Sequence, residues 1–337
     1  MVAAATSRLE GLRNSGFDAG TASVALFLLG AAIFLLIGCL QSTTFAQQTI
    51  AGIVSGSVYG SLALALVLVY RATHVINFAQ GELAMFTTYI AYELGLKGLS
   101  YWAAFAATLA IAFVLGTTLQ VTLIRPVQHR SVIAVVIVTV GLFILIDGIV
   151  DWIWGADPKS MNAPFGFGSF DVGGVAISYT QVGTVIVVFA SATLVWALFR
   201  FTKLGLGMRA AALRPAAASL VGVRVDAMLA IGWGLAAVLG AIAGLMAEPS
   251  QVFLQPTYMQ PILVYAFAAA VLGGLESPGG ALVGGLLIGI STSLVIQYVN
   301  PKYIDSNLLL PFTFVVILLV LLVKPTGLFG RREVRRV

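Results

Sequence analysis

The chain has 337 residues, 60% of them apolar and 9% charged, and its 18 Lys and Arg against 13 Asp and Glu give a net charge of +5. Soluble domains carry about 25% charged residues, and so little charge cannot cover the water-facing surface of a chain this long. Composition therefore excludes a soluble enzyme, a disordered chain and a nucleic-acid-binding protein, and leaves a polytopic helical protein of the lipid bilayer. The single cysteine, Cys39, excludes a disulfide framework and a cysteine-based zinc or iron–sulfur site.

A transmembrane helix needs roughly 20 mainly apolar residues to cross about 30 Å of hydrocarbon. Ten segments meet or approach that length: 23–40, 49–70, 77–94, 101–124, 131–154, 179–200, 227–247, 261–275, 280–298 and 307–323. The eighth is short and could be re-entrant, which would leave eight spans plus a re-entrant segment. Within the first segment, Leu36-Ile37-Gly38-Cys39 reads like a lipoprotein cleavage box. A lipoprotein would continue as a soluble body, whereas further apolar runs follow here, so a plain first span is expected.

The basic residues test this map independently. With a cytoplasmic N-terminus, 15 fall on the inner side and only Lys97, Lys159 and Lys302 on the outer. Cytoplasmic loops concentrate Lys and Arg, so an even number of spans with both termini inside is expected. Trp102, Trp152, Trp154 and Tyr298 then mark the outer boundary and Tyr70 the inner one. The expectation is an all-α fold with one transmembrane domain over 1–337. It comprises a cytoplasmic N-terminal segment 1–22, a long inner connection 201–226 and a basic cytoplasmic tail 324–337. The longest outer loop, residues 155–178, is rich in Gly and Pro.

Catalytic patterns are missing. There is no G-x-x-x-x-G-K-[ST] and not even a Gly-Lys dipeptide, so the chain has no recognisable phosphate cradle. His74 and His129 are too far apart for an H-E-x-x-H zinc site, and Gly52-Ile53-Val54-Ser55-Gly56 lacks the spacing of a nucleophile elbow. Movement of a solute fits this chain better than a reaction.

Gly52, Gly56 and Gly60 lie at i, i+4 and i+8 on one face of the second span, and Gly280/Gly284 and Gly285/Gly289 repeat the spacing in the ninth. Small residues let helices approach closely in lipid. The pattern fits either packing within one subunit or a dimer seam or backbone-lined path. Ionisable groups at membrane depth face the protein interior or a cavity. Glu82 lies roughly 8 Å inside the third span at 1.5 Å per residue, among Asn77, Gln80, Thr87 and Thr88. Asp147 lies deep in the fifth span, with Asp151 one turn further out. Glu82 and Asp147 each fit a structural bond to a neighbouring helix or a role in a path.

The inner loop, residues 205–223, is alanine-rich and favours a short helix. Pro215 suits its first position and Gly222 its end. Such a helix on the cytoplasmic face can dock into a partner protein; the alternative is an ordinary basic loop.

Four stretches together resemble the permease subunits of branched-chain amino acid (LIV-type) ATP-binding-cassette importers. They are Gly56-Ser57-Val58-Tyr59-Gly60 running on to Asn77-Phe78-Ala79-Gln80-Gly81-Glu82, the loop 207–222, Ala270-Val271-Leu272-Gly273-Gly274-Leu275-Glu276-Ser277-Pro278-Gly279-Gly280-Ala281, and the tail Lys324-Pro325-Thr326-Gly327-Leu328-Phe329-Gly330. The first 45 residues add nothing to the likeness. The resemblance implies a plasma (inner) membrane permease subunit that works with a second permease, two ATP-binding subunits and an extracytoplasmic solute-binding protein. It implies no cofactor of the chain's own, with ATP and Mg on the partner subunits. Candidate pathway and gating residues are Gly52, Gly56, Tyr59, Gly60, Asn77, Gln80, Glu82, Thr87 and Asp147. Candidate ATPase-coupling residues are Arg209, Arg214, Pro215, Ala218, Ser219 and Gly222. Two departures stand out: Gln80 occupies a position where the family often has His, and Arg214-Pro215 replaces a more usual polar, proline-free stretch. Related permeases move urea, short amides and carboxylates, so the solute is open. An ion-coupled secondary transporter using Glu82 or Asp147 is the alternative, and a non-transporting scaffold the third.

Overall fold

The computed structural model describes residues 19–73, 75–128, 130–161, 163–166, 168–247, 254–298, 311–315, 318, 322, 324 and 326–330. His74, His129, Lys302, most of the tenth apolar segment and the basic residues at both ends of the chain lie outside the described residues. The chain divides into two compact units, Met1–Ala46 and Gln47–Val337. In the first, helix α1 (Ala19–Gln41) is apolar all round, and the rings of Phe34 and Phe45 meet edge to face at 5.8 Å.

Among the described residues, ten further helices are α2 (Thr43–Thr73), α3 (Gln80–Leu96), α4 (Tyr101–Leu119, continued by a π turn, Gln120–Ile124), α5 (Val132–Trp154), α6 (Tyr179–Phe201), α7 (Lys203–Leu213), α8 (Pro215–Leu220), α9 (Val225–Ala247), α10 (Met259–Gly273) and α11 (Pro278–Tyr298). Residues 311–315 are also helical. Among the described residues, seven helices are long and apolar enough to cross a membrane: α1, α2, α4 with its π turn, α5, α6, α9 and α11. The fold is thus that of a largely helical, multi-pass membrane protein. α5 is crowded with Val and Ile, residues that favour strands in water. In hydrocarbon the backbone must satisfy its own hydrogen bonds, and the helix wins.

α2, α3, α9 and α10 carry most of the buried residues and form the interior. α5 and α6 lie outside them and turn Ile137, Ile144 and Leu194 outward, as a lipid-facing surface requires. With no hydrophobic force between helices in lipid, close backbone approach and polar links join the interior. Ser61 donates to the Leu239 carbonyl at 3.2 Å and Gln80 to the Ala236 carbonyl at 2.9 Å, tying α2 and α3 to α9. A Cβ added at Gly56 would stand 2.8 Å from the Gly285 oxygen, and one at Gly52 2.6 Å from the Ile290 Cα. The glycine ladder of α2 therefore meets that of α11 within one subunit.

α10 starts just after Leu254, which pairs with Lys159 of the long loop through two backbone bonds of 3.0 and 2.8 Å. Its far end turns at Gly274 (φ +102°) into α11. There the tail folds back: the Leu328 amide donates to the Leu272 carbonyl at 2.7 Å and the Phe329 amide to that of Gly273 at 3.1 Å. Two of the four stretches that carry the resemblance are thus bonded to each other.

Two local features depart from expectation. Residues 169–178 form an antiparallel hairpin, β1 (Ser169–Val172) and β2 (Val175–Ser178), turned by Gly173 and Gly174, both at positive φ. Paired positive-φ residues make the two-residue turn that matches strand twist. The inner connection forms two helices, α7 and α8, because the proline ring of Pro215 bars residue Arg214 from helical geometry and lets a new helix start at its own position.

Candidate functional site

α3 is the most polar of the buried helices, and its start is built by its own side chains. The expected third span begins at 77, whereas α3 begins at Gln80. Asn77 stays outside and accepts from the Ala79 amide at 3.1 Å while donating to Gln80 Oε1 at 3.1 Å. Gln80 then spends its amide on α9, and Gly240 leaves room for it: a Cβ there would meet Gln80 Nε2 at 2.7 Å. The Asn77–Gln80 pair is therefore a brace between α3 and α9.

Glu82 falls in the first turn of α3 with no exposed surface. Neither of its oxygens has a hydrogen-bond partner among the described residues, although Gln260 of α10 lies beside it and Asp147 of α5 is within electrostatic reach. Asp147 is half-buried, and its Oδ1 is likewise unpartnered. The structure thus brings the two membrane-depth carboxylates toward each other and leaves both Glu82 oxygens and the Asp147 Oδ1 without a partner among the described residues, where buried polar groups ordinarily find partners. Thr87 and Thr88 cap carbonyls within α3, and Thr88 also accepts from Tyr258 at 2.8 Å. Tyr59 stacks on Tyr265 of α10 with ring centres 5.0 Å apart.

Gly52, Gly56 and Gly60 of α2 lie against α11. The pathway candidates therefore form two groups, a glycine seam and a polar group on α3 with Tyr59 and Asp147 nearby. Gln260, Tyr258 and Tyr265 complete the second group, and reading spans by polarity alone missed them. Gln260 stands one residue before Pro261, where the apolar run was taken to begin.

The β1–β2 hairpin and α2 border a cavity of about 490 Å³ whose lining includes Ser55, Ser169, Thr180, Gln181 and Thr184. Gln47 of α2 donates to the Ala176 carbonyl at 2.9 Å and fixes the hairpin over it.

At the other end of the helices stand α7 and α8. Thr202 caps α7 by accepting from the Gly205 amide at 3.0 Å. Pro215 is the first residue of α8, as its fixed φ suits. After α8, Gly222 takes φ +85°, its amide bonds Ser219 O at 3.1 Å and the Val223 amide bonds Ala218 O at 3.0 Å. This double bond is the Schellman stop, which needs a left-handed residue. Met208, Ala211 and Ala218 are buried, while Leu213, Arg214, Leu220 and Val221 face outward. The pair is anchored on one side and bare on the other. Arg209 sits half-buried near Arg71, and Arg71 also senses Glu276 on the α10–α11 turn, so the loop, α2 and that turn share one end of the molecule.

Comparison with known proteins now bears on this geometry. The family model described as branched-chain amino acid transport system / permease component matches residues 48–323. The chain is 30% identical over 88% of its length to the high-affinity branched-chain amino acid transport system permease protein LivH of Salmonella typhimurium, covering 99% of that protein. It is also 30% identical over 87% of its length to the permease protein BraD of Pseudomonas aeruginosa, covering 98% of it. A probable LivH of Methanocaldococcus jannaschii is 28% identical over 80% of the chain and 87% of its own length. The match starts at residue 48, beside the boundary at which Gln47–Val337 separates from the first unit. On this match the chain belongs to the permease family of branched-chain amino acid transport systems.

Proposed function

We propose that the chain is a membrane-spanning subunit of an ATP-binding-cassette importer and that it carries a branched-chain amino acid or a related small solute by alternating access. Two separate ATP-binding subunits, with their own ATP and Mg, would supply the energy. A second permease would complete the path, and an extracytoplasmic binding protein would deliver the solute. The observation that carries this reading is the α7–α8 pair. It is held to the helical body by buried Met208, Ala211 and Ala218 and offers Leu213, Arg214, Leu220 and Val221 to a partner. An exposed apolar group flanked by arginine suits an interface core with a polar rim.

The reading includes ten spans in the plasma (inner) membrane with both termini cytoplasmic, and a single permease domain. α3 and α10 are short, at 17 and 15 residues. Both are buried among other helices, so neither has to satisfy lipid alone. α10 runs from beside Lys159 to the end marked by Arg71 and Glu276, which supports counting it as a span and not as a re-entrant segment.

The test is ATPase stimulation by the loaded binding protein in proteoliposomes holding the assembled importer. Leu220→Asp and Arg214→Glu should assemble and yet lose most of the stimulation. Full stimulation in both variants would sink the coupling role.

The unsatisfied carboxylates of Glu82 and Asp147 favour one second reading, an ion-coupled secondary transporter. It requires uptake by this chain alone, driven by an ion gradient without ATP, and Glu82→Gln would abolish that uptake.

A further inference from the structure

A cavity of about 650 Å³ lies between α2, α6 and α11, away from the polar group on α3. Leu64, Leu68, Phe189 and Leu282 make its body apolar. At one end stand three guanidinium groups, Arg71, Arg200 and Arg209. None joins an ion pair among the described residues, where the two ion pairs are Lys97–Glu93 and Arg125–Asp226. Arg71 is attracted by Glu276 and repelled by Arg209, the attraction being the larger, and that one carboxylate stands against three guanidinium groups. Pro278 and Gly279, the first residues of the 21-residue helix α11, line the same end and add the positive pole of a helix dipole. Trp196 lies at the rim, exposed, an amphipathic side chain of the kind that sits at the headgroup level.

We infer that this cavity is a binding site for an anionic phospholipid of the inner leaflet, its phosphate on Arg71, Arg200 and Arg209 and its acyl chain along the apolar wall. Three observations converge on that occupant. The lining is apolar along its length and cationic at one end only, the polarity of a lipid and not of a free ion. Guanidinium groups bind phosphate through paired hydrogen bonds, and basic pockets between helices at the cytoplasmic side hold anionic headgroups. The distribution of basic residues assigns the arginine end to the cytoplasm. Arg209 also belongs to α7, so a lipid held here touches the element that leads to α8.

Native mass spectrometry of the full-length chain, with whatever subunits co-purify, tests the site after delipidation and titration with phosphatidylglycerol or phosphatidylcholine. Phosphatidylglycerol should bind at least tenfold more tightly. Arg71→Gln and Arg200→Gln should each weaken it about fivefold, from about 1 kcal/mol per basic residue, and leave phosphatidylcholine unchanged. Arg200 is exposed, so its variant folds even where that of Arg71 does not. Thr193→Trp, which fills the cleft without altering charge, should also remove phosphatidylglycerol. Equal binding of the two lipids would overturn the site. So would equal weakening by Arg224→Gln, outside the cavity, since that is a diffuse basic surface. Displacement of the lipid by inorganic phosphate alone would mark a simple anion site, and displacement by leucine would mark part of the solute path; either result overturns the proposal.

Discussion

At the residue scale, single positions divide into those that sequence chemistry dictates and those that only the fold explains. Gly222 belongs to the first kind. Its φ of +85° lies where a Cβ collides with the backbone, at about 1–2 kcal/mol for any other common residue. Gly222→Val should therefore fray α8, read as faster amide hydrogen exchange at Gly222 and Val223, while Ser219→Ala, on an exposed hydroxyl, should leave exchange there nearly unchanged. Gln80 belongs to the second kind. Its polarity was visible, but its partner is a backbone carbonyl 156 residues away, and no local pattern points there. Interhelical hydrogen bonds in membranes average about 0.6 kcal/mol and reach about 1.7. Gln80→Ala should cost about 1 kcal/mol in thermal unfolding in detergent, and Gln80→Glu more, since a carboxylate cannot donate to Ala236.

At the scale of elements, glycine spacing named the contact face of α2 without naming its partner. Pairing with α11 is long-range, and packing of small residues looks the same in sequence whether the neighbour is the same chain or another. The structure makes a sharp contrast available. A side chain at Gly56 must enter the backbone of α11, whereas Gly148 on α5 has nothing within 4 Å. Gly56→Leu should cost about 3 kcal/mol or prevent folding, as overpacking does, and Gly148→Leu should leave the melting temperature within a degree or two. Equal tolerance would mean that α2 and α11 are not in backbone contact. The β1–β2 hairpin was legible and went unread: Phe170 and Val172 alternate before Gly173-Gly174, and Val175 and Ile177 after it. The long apolar spans masked so short a signal. In the inner loop Pro215 and Gly222 marked the two ends of α8, while α7 before it went unread because Gly205 and Gly207 weaken its helical signal.

For the whole molecule, charge scarcity gave the class before any contact was known, and charge position an expected orientation. Those signals are averages over many residues, and averages survive local error. The polar group on α3 was only half legible. Glu82 and its polar neighbours announced themselves, while Gln260 and Tyr265 of α10, and Tyr258 just before it, arrive through tertiary packing. The mode of energisation is a property of the whole assembly. With ATPases and binding protein present, uptake into proteoliposomes should need ATP and should persist, at reduced rate, in Glu82→Gln. Uptake by the chain alone on a proton or sodium gradient would overturn the importer reading.

The glycine seam between α2 and α11 also sets what can be elastic. Backbone lies on backbone there, with no long side chains between them to shear or re-rotamerise, and at one end Gln48 donates to Gln297 at 3.1 Å and accepts from Ser293 at 3.2 Å. The two helices must travel as one strut, so the distance between labels at 48 and 297 should stay fixed through the transport cycle. Any change of shape is then left to contacts made by side chains, such as the stacked rings of Tyr59 and Tyr265, which can slide on each other.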